Sequence, residues 1–320
     1  MRLVNFELEG KPCLGVVKGD LIVSVPTAID LVAERTIIKF PGGTPRSKAR
    51  HFFLTTGPIP EDINGLLALG DARRRALDQI LDGVVEHFHA DLELDRLFTP
   101  LGAARLLAPI PRPGKIICVG RNYAEHARET GGDVPSQPIF FLKSNNTICG
   151  PGDTIVRPPN STQVDYEAEL ALVIGKGGKQ ISEDKAYEHL AGYMILNDVT
   201  ARDMQSADKQ WFRGKSCDTF APTGPWIVTS DEIPDPHNLR ITLTLNGQTM
   251  QDSNTGNMIF KIPYLVRYIS QSLTLETGDI ISTGTPEGVG VGRTPLVFLQ
   301  AGDTVSVTVE KIGTLTNPVA

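Results

Sequence analysis

The sequence predicts a mostly β, α+β architecture: a twisted or barrel-like sheet body with a few helices, preceded by a small α+β unit. Three observations carry this. From Lys115 onward the chain is a succession of short apolar or alternating segments separated by glycine and proline turns, the pattern of strands rather than of long helices. Glycine (31) and proline (23) are plentiful, which suits a turn-rich sheet protein. Pro109, Pro111 and Pro113 mark a linker between a small unit at residues 1–108 and a larger one at residues 109–320.

In the first unit, Leu3–Leu8, Cys13–Val17 and Leu21–Val25 read as strands, with Lys18-Gly19-Asp20 as a turn. Helical patterns follow at Ala28–Glu34 and Glu61–Phe88. In the second unit, strands are expected at Ile116–Val119, Ile139–Leu142, Glu169–Ile174, Tyr193–Asn197, Trp226–Thr229, Arg240–Leu245, Asp279–Thr283 and Thr304–Val309. Helices are expected at Tyr123–Glu129, Glu183–Leu190, Ala201–Ala207 and Tyr264–Gln271, the first of them capped by Asn122.

Composition narrows the function. The formal net charge is −6 and no basic block suggests nucleic acid. No apolar run approaches the roughly 20 residues needed to span a bilayer. The N-terminus shows neither a signal peptide's apolar core nor an Arg/Ser-rich transit helix, so a cytoplasmic location is expected, with a mitochondrial one left open. The four cysteines have no metal-like spacing and read as free thiols. His87 and His89 flank Phe88 without ligand-spaced partners, which argues against zinc there.

The chemistry concentrates in four segments. In Val164-Asp165-Tyr166-Glu167-Ala168-Glu169, residues two apart share a strand face, so Asp165, Glu167 and Glu169 are expected to point the same way. Such a row entering a core needs a positive charge, and a divalent cation is the simplest source. Asp198 ends a second strand, and three carboxylates from two strands make an all-oxygen site for Mg²⁺, Mn²⁺ or Ca²⁺ rather than Zn²⁺. His126 and Glu129 are neighbours on a helix face, where the carboxylate can orient the imidazole as a general base. Arg202 and Gln205 share a helix face, and Lys215 sits in a glycine-led loop; together they would make an electropositive pocket for a 2-keto carboxylate. The turn Ser282–Gly292 follows a strand but precedes no helix, against a dinucleotide site; a loop offering backbone N–H groups and the Thr285 hydroxyl to a carboxylate fits better. Glu129–Ser136, with two adjacent glycines beside the dyad, is a candidate lid.

Taken together, Gly-Arg-Asn-Tyr-Ala-Glu-His, Asp-Tyr-Glu-Ala-Glu-Leu, Asn-Asp-Val-Thr-Ala-Arg-Asp-Met-Gln, Gly-Lys-Ser-Cys-Asp-Thr-Phe and Ser-Thr-Gly-Thr-Pro-Glu-Gly-Val-Gly resemble, in order, the motifs of the fumarylacetoacetate hydrolase superfamily, over about two thirds of the chain. The match looks closest to the longer members with a small N-terminal domain. The resemblance implies a mixed β-sandwich roll, usually a homodimer. It implies Glu167, Glu169 and Asp198 as metal ligands, His126 with Glu129 as the water-activating dyad, and Lys215 near the scissile carbonyl. Arg202 and Gln205 match substrate contacts, and Gly284 and Thr285 belong to the loop that holds the substrate carboxylate. The founding hydrolase has a further aspartate ligand where this chain has Cys118-Val119-Gly120, which favours Mg²⁺ or Mn²⁺ over Ca²⁺.

The first functional expectation is hydrolytic C–C cleavage of an acylpyruvate or other 2,4-diketo acid. The alternative is keto–enol tautomerisation of oxaloacetate, or a related isomerisation or decarboxylation, on the same metal site. A non-catalytic module that kept the fold would have lost a ligand or a dyad member, and all are present. The expected partner is thus a small 2-keto or 2,4-diketo carboxylate, not nucleic acid or membrane.

Overall fold

The computed structural model describes residues 1–33, 44–60, 62–88 and 96–320. They divide into two compact units, Met1–Leu107 and Ala108–Ala320. Glu34, Glu61 and His89, which figure in the sequence expectations, lie outside the described residues.

The first unit runs β1 (Arg2–Leu8), β2 (Lys11–Lys18), β3 (Leu21–Ser24), α1 (Val25–Ala33), α2 (Pro45–Thr55), α3 (Ile63–Leu67), α4 (Gly70–Phe88), β4 (Phe98–Pro100) and β5 (Leu106–Leu107). Its strands form an antiparallel sheet in the order β4-β3-β2-β1-β5. The helix expected over Glu61–Phe88 is two helices. Asp62 caps α3, its carboxylate accepting from Gly65 N at 2.8 Å, and Gly70, at φ 70°, starts α4 in a left-handed conformation that glycine adopts without a Cβ clash. Helix α2 has no counterpart in the sequence expectations; of its described side chains Ala49 and Phe53 are the buried ones, too few to impose a visible period.

The second unit runs β6 (Ile116–Gly120), α5 (Ala124–Glu129), β7 (Ile139–Lys143), β8 (Ile148–Cys149), β9 (Val164–Asp165), β10 (Ala168–Ile174), β11 (Leu190–Asn197), β12 (Thr200–Ala201), α6 (Arg202–Ala207), α7 (Phe212–Lys215), β13 (Ala221–Thr229), β14 (Arg240–Leu245), β15 (Gln248–Asn254), α8 (Ile262–Ser272), β16 (Ile280–Ser282), β17 (Thr304–Val309) and β18 (Gly313–Pro318). One sheet has the order β13-β11-β10-β16-β6-β7, antiparallel except for the β16–β6 pair. A second is an antiparallel four-strand sheet, β15-β14-β17-β18. Strand β10 is buried along its whole length, hence its continuous apolar run. In β14 and β17 burial alternates, with Ile241, Leu243 and Leu245 and then Val305, Val307 and Val309 facing inward. These residues share one core cluster with Leu170 and Leu172 of β10 and with Leu265, Val266 and Ile269 of α8, the i, i+1, i+4 positions of an amphipathic helix. This mixed α+β arrangement of large sheets is the fold class the sequence predicts. Among the described residues no helix is long and apolar enough to cross a membrane.

Two local expectations are corrected. Asn122 does not cap α5, whose cap position is Tyr123. Its buried side chain instead donates to Thr283 O (2.7 Å) and Phe260 O (3.1 Å) and accepts from Phe260 N (2.7 Å), tying the segment after β6 to the residue after β16 and to the approach to α8. The acidic strand is also not continuous. Asp165 ends β9, which pairs with β12, and Glu167 N donates to Asn197 Oδ1 (3.0 Å) rather than to a neighbouring strand's backbone.

Candidate active site

Glu169 lies in β10 and Asp198 follows β11. The antiparallel register sets Ala168 opposite Asn197, and Asp198 N donates to Glu167 O at 2.9 Å. These backbone ties bring the Glu167, Glu169 and Asp198 carboxylates together, with one oxygen from each within 4.8 Å of the others. All three residues are buried. Asp165, expected in the same row, lies outside this cluster. Its Oδ1 accepts from Tyr166 N and Gly290 N, and its Oδ2 from Val291 N and Arg202 Nε.

Three buried cations offset the acidic charge. Lys215, on α7 rather than in an open loop, bridges Glu167 Oε2 and Asp198 Oδ2 at 2.7 Å each. Lys143, at the end of β7, donates to Asp198 Oδ1 (2.6 Å) and Val199 O (3.0 Å). Arg202 reaches Asp165 Oδ2 (2.8 Å), Glu167 Oε1 (2.6 Å) and Gln205 Oε1 (3.1 Å). Burial alone would push the Glu167 carboxyl up, but Lys215 and Arg202 outweigh it and hold it well below the usual carboxylate range. Burial would likewise lower Lys215, and Asp198 and Glu167 reverse this, so its ammonium is charged. Glu169 goes the other way. Burial, then Asp198 and Glu167, raise its pKa well above normal, although Oε2 accepts from Ser282 Oγ and Gly284 N. The cluster therefore lacks positive charge beside Glu169. An all-oxygen donor set short of positive charge fits a hard divalent cation, and Glu167, Glu169 and Asp198 could hold one.

These groups open into a cavity of about 310 Å³. Its lining includes His126, Arg202, Gln205, Lys215, Thr285 and the acidic triad. Glu129 stands behind His126: Oε1 meets His126 Nδ1 at 2.9 Å, and Oε2 accepts from Gly288 N at 2.8 Å. Gly284, expected to face a substrate carboxylate, donates its N–H to Glu169 instead. Thr285 Oγ1 accepts from Gln251 Nε2 (2.9 Å), while Gln251 Oε1 accepts from Ala168 N (2.9 Å), so the amide joins the glycine-rich loop to the start of β10.

Sequence reasoning missed Lys143, Gln251 and the true partners of Asp165. The one available signal for Lys143 was a lysine closing the apolar run Ile139-Phe140-Phe141-Leu142; nothing local marks Gln251. Arg121 and Trp211 also line the cavity and were not singled out.

The Fumarylacetoacetate (FAA) hydrolase C-terminal family matches residues 115–320. Oxaloacetate tautomerase FAHD2A, mitochondrial, of Bos taurus is 50% identical over 222 residues, covering 69% of this chain and 71% of its own. Oxaloacetate tautomerase YisK of Bacillus subtilis (strain 168) is 48% identical over 231 residues, covering 71% and 77%. Among solved structures, the fumarylacetoacetate hydrolase of Exiguobacterium antarcticum aligns over 100% of this chain and 99% of its own, with a TM-score of 0.76 and 34% identity.

Proposed function

This chain belongs to the fumarylacetoacetate hydrolase family, and from that premise we propose that it is a divalent-metal-dependent oxaloacetate tautomerase. The observation that carries the reading is that one small cavity joins a buried acidic triad to His126, a histidine backed by a carboxylate. Hydrolytic C–C cleavage, the first expectation from sequence, gives way to the alternative, because relatives at about half identity are oxaloacetate tautomerases.

Held by Glu167, Glu169 and Asp198, Mg²⁺ or Mn²⁺ would supply Lewis acidity toward a 2-keto carboxylate. Tautomerisation needs a proton taken from C3 and one delivered to the keto oxygen. His126 is fixed through Nδ1 by Glu129, which leaves Nε2 as the ring nitrogen to take the carbon-bound proton. Lys215 uses two of its three N–H donors on Glu167 and Asp198 and has one left to stabilise charge at the oxygen. The proton lost at carbon is regained at oxygen, so no water is consumed. Thr285, steadied by Gln251, offers a hydroxyl to the carboxylate next to the keto group.

Proton NMR of the Mg²⁺-loaded protein with oxaloacetate, and separately with an acylpyruvate, tests this. Accelerated keto–enol exchange with the acylpyruvate left intact is the expected result. Release of pyruvate from the acylpyruvate, without accelerated exchange, would overturn the proposal in favour of C–C hydrolysis.

A further inference from the structure

We propose that Arg121 reads the distal carboxylate of the substrate and so selects four-carbon dicarboxylic 2-keto acids over 2-keto acids with a neutral tail. This deepens the tautomerase reading and rests on it for the identity of the head group.

Three cationic side chains line the cavity: Arg121, Arg202 and Lys215. Two are engaged by the protein. Arg202 is held by Asp165, Glu167 and Gln205. Lys215 is held by Glu167 and Asp198, with its ammonium 5.0 Å from the centre of the Phe141 ring. Arg121 makes no hydrogen bond or ion pair among the described residues, though it is half-buried in the cavity wall. A planar fork of N–H donors left open beside a small polar cavity is suited to a carboxylate.

The backbone is shaped to present this side chain. Arg121 has φ 54°, a left-handed conformation that L side chains rarely adopt and that costs energy unless the surroundings impose it. It follows β6 directly, and glycines make room at two points. A Cβ on Gly120 would lie 2.6 Å from the Trp211 ring, which also lines the cavity. A Cβ on Gly132, in the loop after the dyad helix, would lie 2.4 Å from the Arg121 guanidinium carbon. Gly132 thus leaves space for the guanidinium. The substrate's head and tail then meet different chemistry. The carboxylate and keto group face the triad, Lys215 and Thr285, whereas a second carboxylate would find Arg121, the open cation among the described residues that line the cavity.

Calorimetric titration of the Mg²⁺-loaded full-length protein with malate, lactate and oxalate tests this without turnover. Malate carries the distal carboxylate, lactate lacks it, and oxalate fills the head position alone. Wild type is expected to prefer malate to lactate by about tenfold or more, the worth of a charge-assisted pair. Arg121→Met should abolish that preference while leaving oxalate affinity within about twofold, and Arg121→Lys should restore part of it. Gly132→Ala, which displaces only the flexible guanidinium, should weaken malate in the same direction. Oxaloacetate KM should rise in Arg121→Met more than kcat falls. A malate preference that survives in Arg121→Met overturns the assignment, as does a parallel loss of oxalate binding, which would mark a general structural role. Arg121-dependent malate binding in a protein that fails to accelerate oxaloacetate exchange would leave this inference standing and sink the tautomerase reading. Accelerated exchange with no malate preference in wild type would do the reverse.

Discussion

Arg202 and Arg121 line the same cavity and are held in opposite ways. Arg202 belongs to the floor, where Asp165, Glu167 and Asp198 pair with Arg202, Lys143 and Lys215 in a buried network that engages all three cations. Arg121 belongs to the lip, with His126 and Thr130, where the guanidinium has no protein partner among the described residues. The floor's cations are all engaged because buried charge is tolerated only when paired, and Glu169 is the carboxyl left without one. A network with its cations engaged is stiff, and those cations have little capacity left for a substrate. At the lip the open groups are the Arg121 guanidinium and His126 Nε2, whose ring is held through Nδ1 by Glu129. The contrast separates two kinds of cation in one cavity: Arg202, fixed in a network with the acidic residues, and Arg121, left open at the wall.

Substitutions that separate floor from lip break or sharpen this division. The largest effect is expected at His126. His126→Ala should lower the oxaloacetate exchange rate by about 10²–10⁴ while leaving calorimetric Mg²⁺ affinity near wild type, because the imidazole's hydrogen bond goes to Glu129 and not to a triad oxygen. Glu169→Gln should show the reverse priority, with Mg²⁺ binding lost first. If His126→Ala loses Mg²⁺ binding as completely as Glu169→Gln, floor and lip are one unit and the comparison fails.

A middle-sized effect is expected at Lys143. Its ammonium and Asp198 are both buried, and removing one partner of such a pair leaves uncompensated charge, at a cost of up to about 3 kcal/mol with Lys215 still present. Lys143→Met should therefore lower the melting temperature of the metal-free protein. Because the variant floor carries one more uncompensated negative charge, Mg²⁺ should raise the melting temperature by more than it does in wild type. A smaller Mg²⁺-induced shift would mean that Lys143 matters by orienting Asp198 rather than by neutralising it.

What the sequence made legible follows the range of the interactions. Glu167 and Glu169 two apart, and His126 and Glu129 three apart, are local spacings, so the triad's strand and the dyad's helix could be read directly. Asn122 shows where local rules lose. A good N-cap residue is taken instead by Phe260 and Thr283, both more than a hundred positions away. Lys143 meets Asp198 across 55 residues and Gln251 meets Thr285 across 34, and no periodicity encodes such approaches. Asp165 was visible as a carboxylate, but the break between β9 and β10 turned it toward Arg202 and the Gly290 and Val291 amides. Arg121 was visible as a letter in a motif; that it alone among the cavity's cations lacks a partner among the described residues is a property of the folded cavity.

The smallest predicted effect lies away from the cavity and asks whether the unit's stability has a pH dependence independent of the floor. His237 Nε2 accepts from Ile262 N, the first amide of α8, at 3.1 Å, so the ring must be neutral at that nitrogen. Burial, with Lys261 adding to it, lowers the His237 pKa below the usual histidine value, and Asp235 opposes this only in part. A histidine whose folded-state pKa is depressed binds its proton more readily when unfolded. Its contribution is therefore present above the unfolded value, near 6.5, and is lost as the pH falls through the folded one. Thermal unfolding from pH 7.5 to pH 5 should thus show a steeper fall in wild type than in His237→Gln, whose amide oxygen is neutral throughout. The difference should amount to about 1–3 °C at the acid end. Parallel pH profiles would mean that the α8 amide exchanges this partner for water at no cost, and that the pH dependence of the unit resides in the carboxylate floor.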